Sequence, residues 1–148
     1  MKKLLLALTM LSTPAFAADY IDSQTGFDGA EIHIKQIQQR DDKLTLVLEY
    51  ENTSDDVIEV KGVEFDDVYY ITGDKKYPIL RDTNGNYVAA PQSSYSCCLF
   101  TRNTRSIEIK AKSKKVAWFK FEQPGDNDWP IEFVLPGAIP FVLEKPAN

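Results

Sequence analysis

Cys97 and Cys98 stand side by side within Ser94-Tyr-Ser-Cys-Cys-Leu-Phe100 and are the only two cysteines in the 148 residues. Thiols serve as nucleophiles, metal ligands or redox couples, and spacing narrows the choice. α-Carbons joined by a trans peptide lie about 3.8 Å apart, whereas ordinary disulfides span roughly 4.4–6.8 Å. A bond between these neighbours is therefore strained and easily reduced, the behaviour of a redox-labile switch. Two other states fit the same residues: thiols buried as small apolar groups, and cysteines that pair with a second chain to give a homodimer. A thioredoxin-like role finds no support, because the two-residue spacer and the helix N-terminus that depress a catalytic thiol's pKa are missing.

The remaining chemistry-bearing residues are sparse. His33 is the single histidine, and a Ser-His-Asp set would have to use it, without a Gly-x-Ser-x-Gly elbow to present the serine. Its neighbours Ile32 and Ile34 alternate with it, which puts it on the polar face of a strand. Zinc takes three or four His, Cys or carboxylate ligands, more than His33, Cys97 and Cys98 supply without several acids. Asp55-Asp56, Asp66-Asp67 and Asp126-Asn-Asp128 gather carboxylates, yet the closing bidentate glutamate of a regular calcium loop is absent and turn formation accounts for them. A glycosidase pair needs two acids roughly 5–9.5 Å apart in a cleft. No cofactor is expected from these patterns.

The N-terminal residues Met1-Lys-Lys-Leu-Leu-Leu-Ala-Leu-Thr-Met-Leu-Ser-Thr-Pro-Ala-Phe-Ala17 have the basic start, short apolar run and Ala-x-Ala end of a secretory signal peptide. The expected product starts at Ala18 and is periplasmic or secreted. The apolar run is shorter than the roughly 20 residues of a bilayer-spanning helix, so no transmembrane anchor is expected. Cleavage removes two of the 17 basic residues and none of the 22 acidic ones, so the net charge moves from −5 to −7. Such a surface repels phosphate backbones and argues against nucleic acid as a partner. Both methionines, Met1 and Met10, leave with the signal, and with them the soft ligands of a copper carrier.

These residues must be positioned by strands. Lys43-Leu-Thr-Leu-Val-Leu-Glu-Tyr50 alternates, with Leu44, Leu46, Leu48 and Tyr50 on one face. Ala30, Ile32 and Ile34 do the same, and Arg40-Asp-Asp-Lys43 makes the reversal of a hairpin. Further strands are expected over residues 57–65, 68–72, 77–80, 87–90, 107–109, 116–121, 131–135 and 139–143, punctuated by Gly73-Asp74, by Asn84-Gly85, by a Lys-Ser-Lys turn and by Pro136-Gly137. Pro78 lacks an amide hydrogen and belongs on an edge or at a strand start. Apolar side chains face both ways along Val116-Ala-Trp-Phe-Lys-Phe121, so one of Trp118 and Phe119 lies exposed or beneath another element. Lys110, Lys112, Lys114 and Lys115 form a basic hairpin tip. No stretch sustains a helical period. The expectation is an all-β chain, an antiparallel β-sandwich of seven to nine strands, with a small closed β-barrel as the alternative. Residues 1–17 form the signal, 18–29 an N-terminal extension, 30–144 one domain and 145–148 a tail.

Val68-Tyr-Tyr-Ile-Thr-Gly-Asp-Lys-Lys-Tyr-Pro-Ile-Leu-Arg-Asp-Thr-Asn-Gly85, with Ile107-Glu-Ile109, Trp118-Phe-Lys-Phe121, Leu135-Pro-Gly137 and Pro140-Phe141, resembles small exported bacterial immunoglobulin-like domains of largely unassigned function. The resemblance implies a sandwich that acts as an adhesion, sensing or accessory module. It carries no catalytic residues, and the two separated cysteines that staple antibody-type sheets are missing. Long irregular loops on rigid sheets carry recognition. The loop from Pro91 to Thr104 and its border, with Tyr95, Leu99, Phe100, Arg102 and Arg105, is therefore the expected surface for a protein or cell-envelope partner. A redox-responsive protein built on Cys97 and Cys98 and a carboxylate-based envelope hydrolase are the alternatives.

Overall fold

A computed structural model describes residues 20–60, 64–90 and 107–147. Among them are eleven strands: β1 (Asp22–Thr25), β2 (Glu31–Arg40), β3 (Lys43–Asn52), β4 (Ile58–Val60), β5 (Tyr69–Thr72), β6 (Lys75–Pro78), β7 (Ala89–Ala90), β8 (Ile107–Ile109), β9 (Ser113–Glu122), β10 (Ile131–Val134) and β11 (Phe141–Leu143). One five-stranded sheet runs β1-β2-β3-β9-β7, one four-stranded sheet runs β11-β10-β5-β6, and β4 pairs with β8 in a two-stranded ribbon. Every pairing is antiparallel. No helix among the described residues is long and apolar enough to cross a membrane.

The alternation in β3 does what it announces. Leu44, Leu46, Leu48 and Tyr50 are fully buried, opposite Phe121, Phe119, Ala117 and Lys115 of β9 in register. In β2 the spacing from Ile34 to Ile37 would break the two-residue period. A bulge between Ile34 and Gln36 absorbs one residue, so Ile37 returns to the core and the strand twists locally. The β2–β3 reversal lies on Asp41 and Asp42, both with positive φ (53° and 57°), the backbone a two-residue hairpin requires.

Aromatic rings join the two larger sheets. Phe119 and Phe121 of β9 meet Phe133 of β10 at 6.3 and 6.0 Å between centroids, Tyr70 of β5 meets Phe121 edge-on at 5.6 Å, and Phe133 reaches Phe141 at 6.3 Å. Tyr70 and Tyr77 stack at 4.5 Å. These rings fill the space between the sheets and supply much of the burial in so small a core.

Several expectations change. The sheets do not close into a barrel: β1 and β7 are edges of one, β11 and β6 of the other. The eleven strands exceed the expected seven to nine; β4, β7 and β8 fall within segments expected as strands, and β1 lies in none of them. The segment expected as an N-terminal extension contributes β1, whose polar Asp-Ser-Gln-Thr pairs with β2 through backbone groups. Among the described residues of 57–65, Ile58–Val60 form β4, and a 3-10 turn follows at Phe65–Asp67. The Lys-Ser-Lys turn falls earlier, at Ala111-Lys112, where Lys112 has φ 51°. Asn84-Gly85 does turn the chain: Gly85 has φ 82°, and Asp82 accepts hydrogen bonds from the amides of Asn84 and Asn86. Pro78 ends the edge strand β6, where its missing amide costs no ladder bond. Phe119 is the core residue of its pair, while Trp118 stands half-buried on the outer face of the sheet.

Candidate functional site

Outer faces of antiparallel sheets are usually solvated, so polar side chains buried there mark a built feature. Only His33, Glu49 and Asn52 are buried polar residues among those described, and the first two are cross-strand partners. Lys35 and Lys114 close on Glu49 from β2 and β9, donating to Oε2 at 2.8 Å and to Oε1 at 2.9 Å. The Tyr20 hydroxyl, just before β1, donates to the same Oε1. Lys114 also meets Glu51 Oε2 at 2.9 Å and the Tyr20 hydroxyl at 3.0 Å.

Desolvation alone would raise the pKa of Glu49, but the hydrogen bonds from Lys35, Tyr20 and Lys114 win, and it falls from 4.5 to about 2. The same contacts, with Tyr20 first and then Glu49 and Glu51, push Lys114 well above the usual lysine range. Glu49 is therefore an anion locked between two cations, unsuited to exchanging protons near neutrality.

His33 lies beside this cluster. The Tyr20 ring stacks on the imidazole at 4.1 Å with the planes 8° apart. Nδ1 is 2.8 Å from Ser23 Oγ, and Nε2 is 3.4 Å from Glu51 Oε2. His33 lies on the outer face of the sheet, as its alternation with Ile32 and Ile34 implies, and there β1 and Tyr20 cover the ring. Ser23, His33 and Glu51 do line up as hydroxyl, imidazole and carboxylate. However, Glu51 is shared with Lys114, Ser23 lies on an edge strand, and one face of the imidazole is taken by Tyr20. This arrangement clamps the N-terminal strand onto the sheet.

Asn52 organises the β3–β4 connection. Its Nδ2 donates to the carbonyls of Asp56, Ile109 and Lys110, and its Oδ1 accepts from the amide and hydroxyl of Ser54. The expected basic tip dissolves into separate contacts: Lys112 reaches the Thr53 carbonyl and Asp55, Lys114 joins the Glu49 cluster, and Lys115 donates to the Glu108 carbonyl.

A surface depression of about 370 Å³ lies where β6 leads into the Asn-Gly turn, lined by Asp66, Tyr77, Arg81, Tyr87 and Glu122 among others. Arg81 covers the Tyr87 ring at 4.0 Å and donates to Asp66 at 3.1 Å, so its charge is already engaged. The Asp126–Asp128 segment is likewise spoken for: Asp128 accepts from the Gly125 amide and Asp126 pairs with Lys145. Among the described residues no group of three or more His, Cys, Asp or Glu is placed to hold a metal.

Cys97, Cys98, Pro91, Tyr95, Leu99, Phe100, Arg102 and Arg105 all lie outside the described residues. Their anchors are on the frame: Ala90 pairs with Trp118, and Ile107 pairs with Val60. Sequence reasoning missed Tyr20, Lys35, Glu49, Glu51 and Lys114 as a unit. The available signal was Glu49 and Glu51 on the outward positions of β3, acids that oppositely charged neighbours stabilise across a sheet. Compared with protein-family models, curated proteins and solved structures, the chain matches none.

Proposed function

We propose that the chain is an exported, immunoglobulin-like module that binds a protein or cell-envelope partner through residues 91–105, and that it catalyses no reaction. The observation that carries this reading is the use the fold makes of its ionisable groups. Glu49, Lys35, Lys114 and Tyr20 bond one another, and Glu49 is held at about 2, far from the range of a working acid or base. What these contacts produce is a stiff sheet on which a long segment is mounted. That segment leaves from Ala90 and returns at Ile107, each fixed by pairing, and it carries Tyr95, Leu99, Phe100, Arg102 and Arg105, residue types suited to recognition. The signal-like N-terminus directs the module to the envelope.

The test is in-cell photocrosslinking with a probe amino acid at Tyr95 or Phe100, beside a control probe at Gln38, exposed on the outer face of β2. A discrete crosslinked envelope partner from the loop probes alone is the expected result. Equal crosslinking from all three positions would remove the loop from the argument. Covalent labelling of Ser23 by a fluorophosphonate would instead show that Ser23, His33 and Glu51 act as a nucleophilic set and overturn the non-enzymatic reading.

A further inference from the structure

The two large sheets present very different outer faces. On the five-stranded sheet the outward positions near β1 are ion-paired through Glu49, Glu51, Lys35 and Lys114. On the four-stranded sheet they are mostly apolar. Register places Val142, Glu132, Ile71 and Lys76 in one row across β11-β10-β5-β6, and Val134, Tyr69 and Pro78 in the next. Val142 is 63% exposed, Glu132, Lys76 and Pro78 are exposed, and Tyr69, Ile71 and Val134 are half-buried. A contiguous apolar sheet face of this kind is a surface that gains by being covered.

The two charges in these rows decide the occupant. Glu132 on β10 and Lys76 on β6 share a row, each one strand away from β5 on opposite sides. They are therefore about 10 Å apart, two strand spacings. We propose that this face binds a second copy of the chain, through a two-fold axis running close to the direction of β5. Rotation about such an axis exchanges the positions of β10 and β6 while returning each row to itself. Glu132 of each copy then meets Lys76 of the other, twice over, and Ile71 and Tyr69 meet their own counterparts on the axis. An isologous contact demands this self-complementarity. Shifting the axis by one strand, onto β10 or β6, would set Glu132 or Lys76 against its own counterpart, a like-charge contact that opposes association. Lys76 is already steered onto the face, its ammonium 3.7 Å from the Tyr69 ring centroid.

The size of the face sets the strength. Four strands about 4.8 Å apart and about 13 Å long give a footprint of roughly 250 Å², below the about 800 Å² per partner of a standard interface. The dimer is accordingly weak and reversible.

Sedimentation equilibrium of the full secreted chain, kept under reductant so that Cys97 and Cys98 form no cross-link, tests this from about 5 to 500 µM. The wild type is expected to follow a monomer–dimer equilibrium. Glu132→Lys alone and Lys76→Glu alone each set like charges against each other and should weaken association at least tenfold. An equimolar mixture of these two variants pairs opposite charges at both positions and should regain wild-type association. Ile71→Lys, which sets like charges face to face on the axis, should leave only monomer; circular dichroism and melting of each variant verify the fold. A wild type that stays monomeric throughout, single reversals that dimerise as before, or a mixture that fails to associate would each overturn the proposal.

Discussion

Replacing Glu49 with glutamine tests the central electrostatic claim while keeping the side chain's shape. The carboxylate is nearly buried, and its pKa drops from 4.5 to about 2 because Lys35, Tyr20 and Lys114 outweigh the cost of desolvation. Because the folded value is depressed, the contribution is fully present above pH 4.5 and is lost as the pH falls through about 2. At roughly 1.4 kcal/mol per pKa unit the full shift corresponds to about 3 kcal/mol, which solvent screening of the two half-exposed lysines reduces to about 1–2 kcal/mol. Urea denaturation of wild type and Glu49→Gln at pH 7 should therefore differ by about 1–2 kcal/mol, a melting shift of about 3–8 °C. Repeated at intervals down to pH 2, the two curves should converge. A gap that persists undiminished at pH 2 would show that packing, not charge, holds the cluster; no gap at pH 7 would show that the ion pairs contribute nothing.

Other substitutions probe separate features. Tyr20→Ala removes both the stacking on His33 and the hydrogen bond to Glu49, so amide exchange in β1 should quicken at least tenfold while β3 keeps its protection, as read by hydrogen-exchange mass spectrometry. Asn52→Ala leaves the carbonyls of Asp56, Ile109 and Lys110 without their shared donor, and chemical denaturation should register a loss of about 2–3 kcal/mol. The Tyr50 hydroxyl is fully buried and finds no hydrogen-bond partner among the described residues, so Tyr50→Phe should equal the wild type in stability or exceed it by up to about 1 kcal/mol. Phe133→Ala opens a void at the junction of Phe119, Phe121 and Phe141 and should lower the unfolding free energy by about 3–5 kcal/mol.

The hairpin of β2 and β3 was legible because its signals are local. Alternating leucines mark the inner face, and Arg40-Asp-Asp-Lys43 supplies a turn that continuous strands could not tolerate. The Asn84-Gly85 turn was legible for the same reason. β1 was not, because Asp-Ser-Gln-Thr pairs through its backbone and leaves no apolar imprint. The Glu49 cluster was hidden by distance along the chain: its members at 20, 35, 49 and 114 meet only once the register of β2, β3 and β9 is fixed. Residue type alone could suggest that Glu49 faces outward; which lysines would meet it depended on a bulge at Lys35 and on a strand some seventy positions away. The two thiols and the loop that holds them lie outside the described residues, and their chemistry stands on the sequence reading alone.

The sheet order carries a consequence for how the chain assembles. β3 is bonded on one side to β2, its immediate neighbour in sequence, and on the other to β9, which is synthesised much later. The hairpin of residues 31–52 closes over a two-residue turn and belongs to the microsecond class of events. The second edge of β3 must wait until residues 53–112 have been gathered into a closed loop, and that non-local pairing sets the pace of folding. Between these moments β3 offers ten residues with an unpaired edge, a template for the wrong strand. While the chain is being made, its most regular strand is also its most vulnerable one until β9 arrives to cover it.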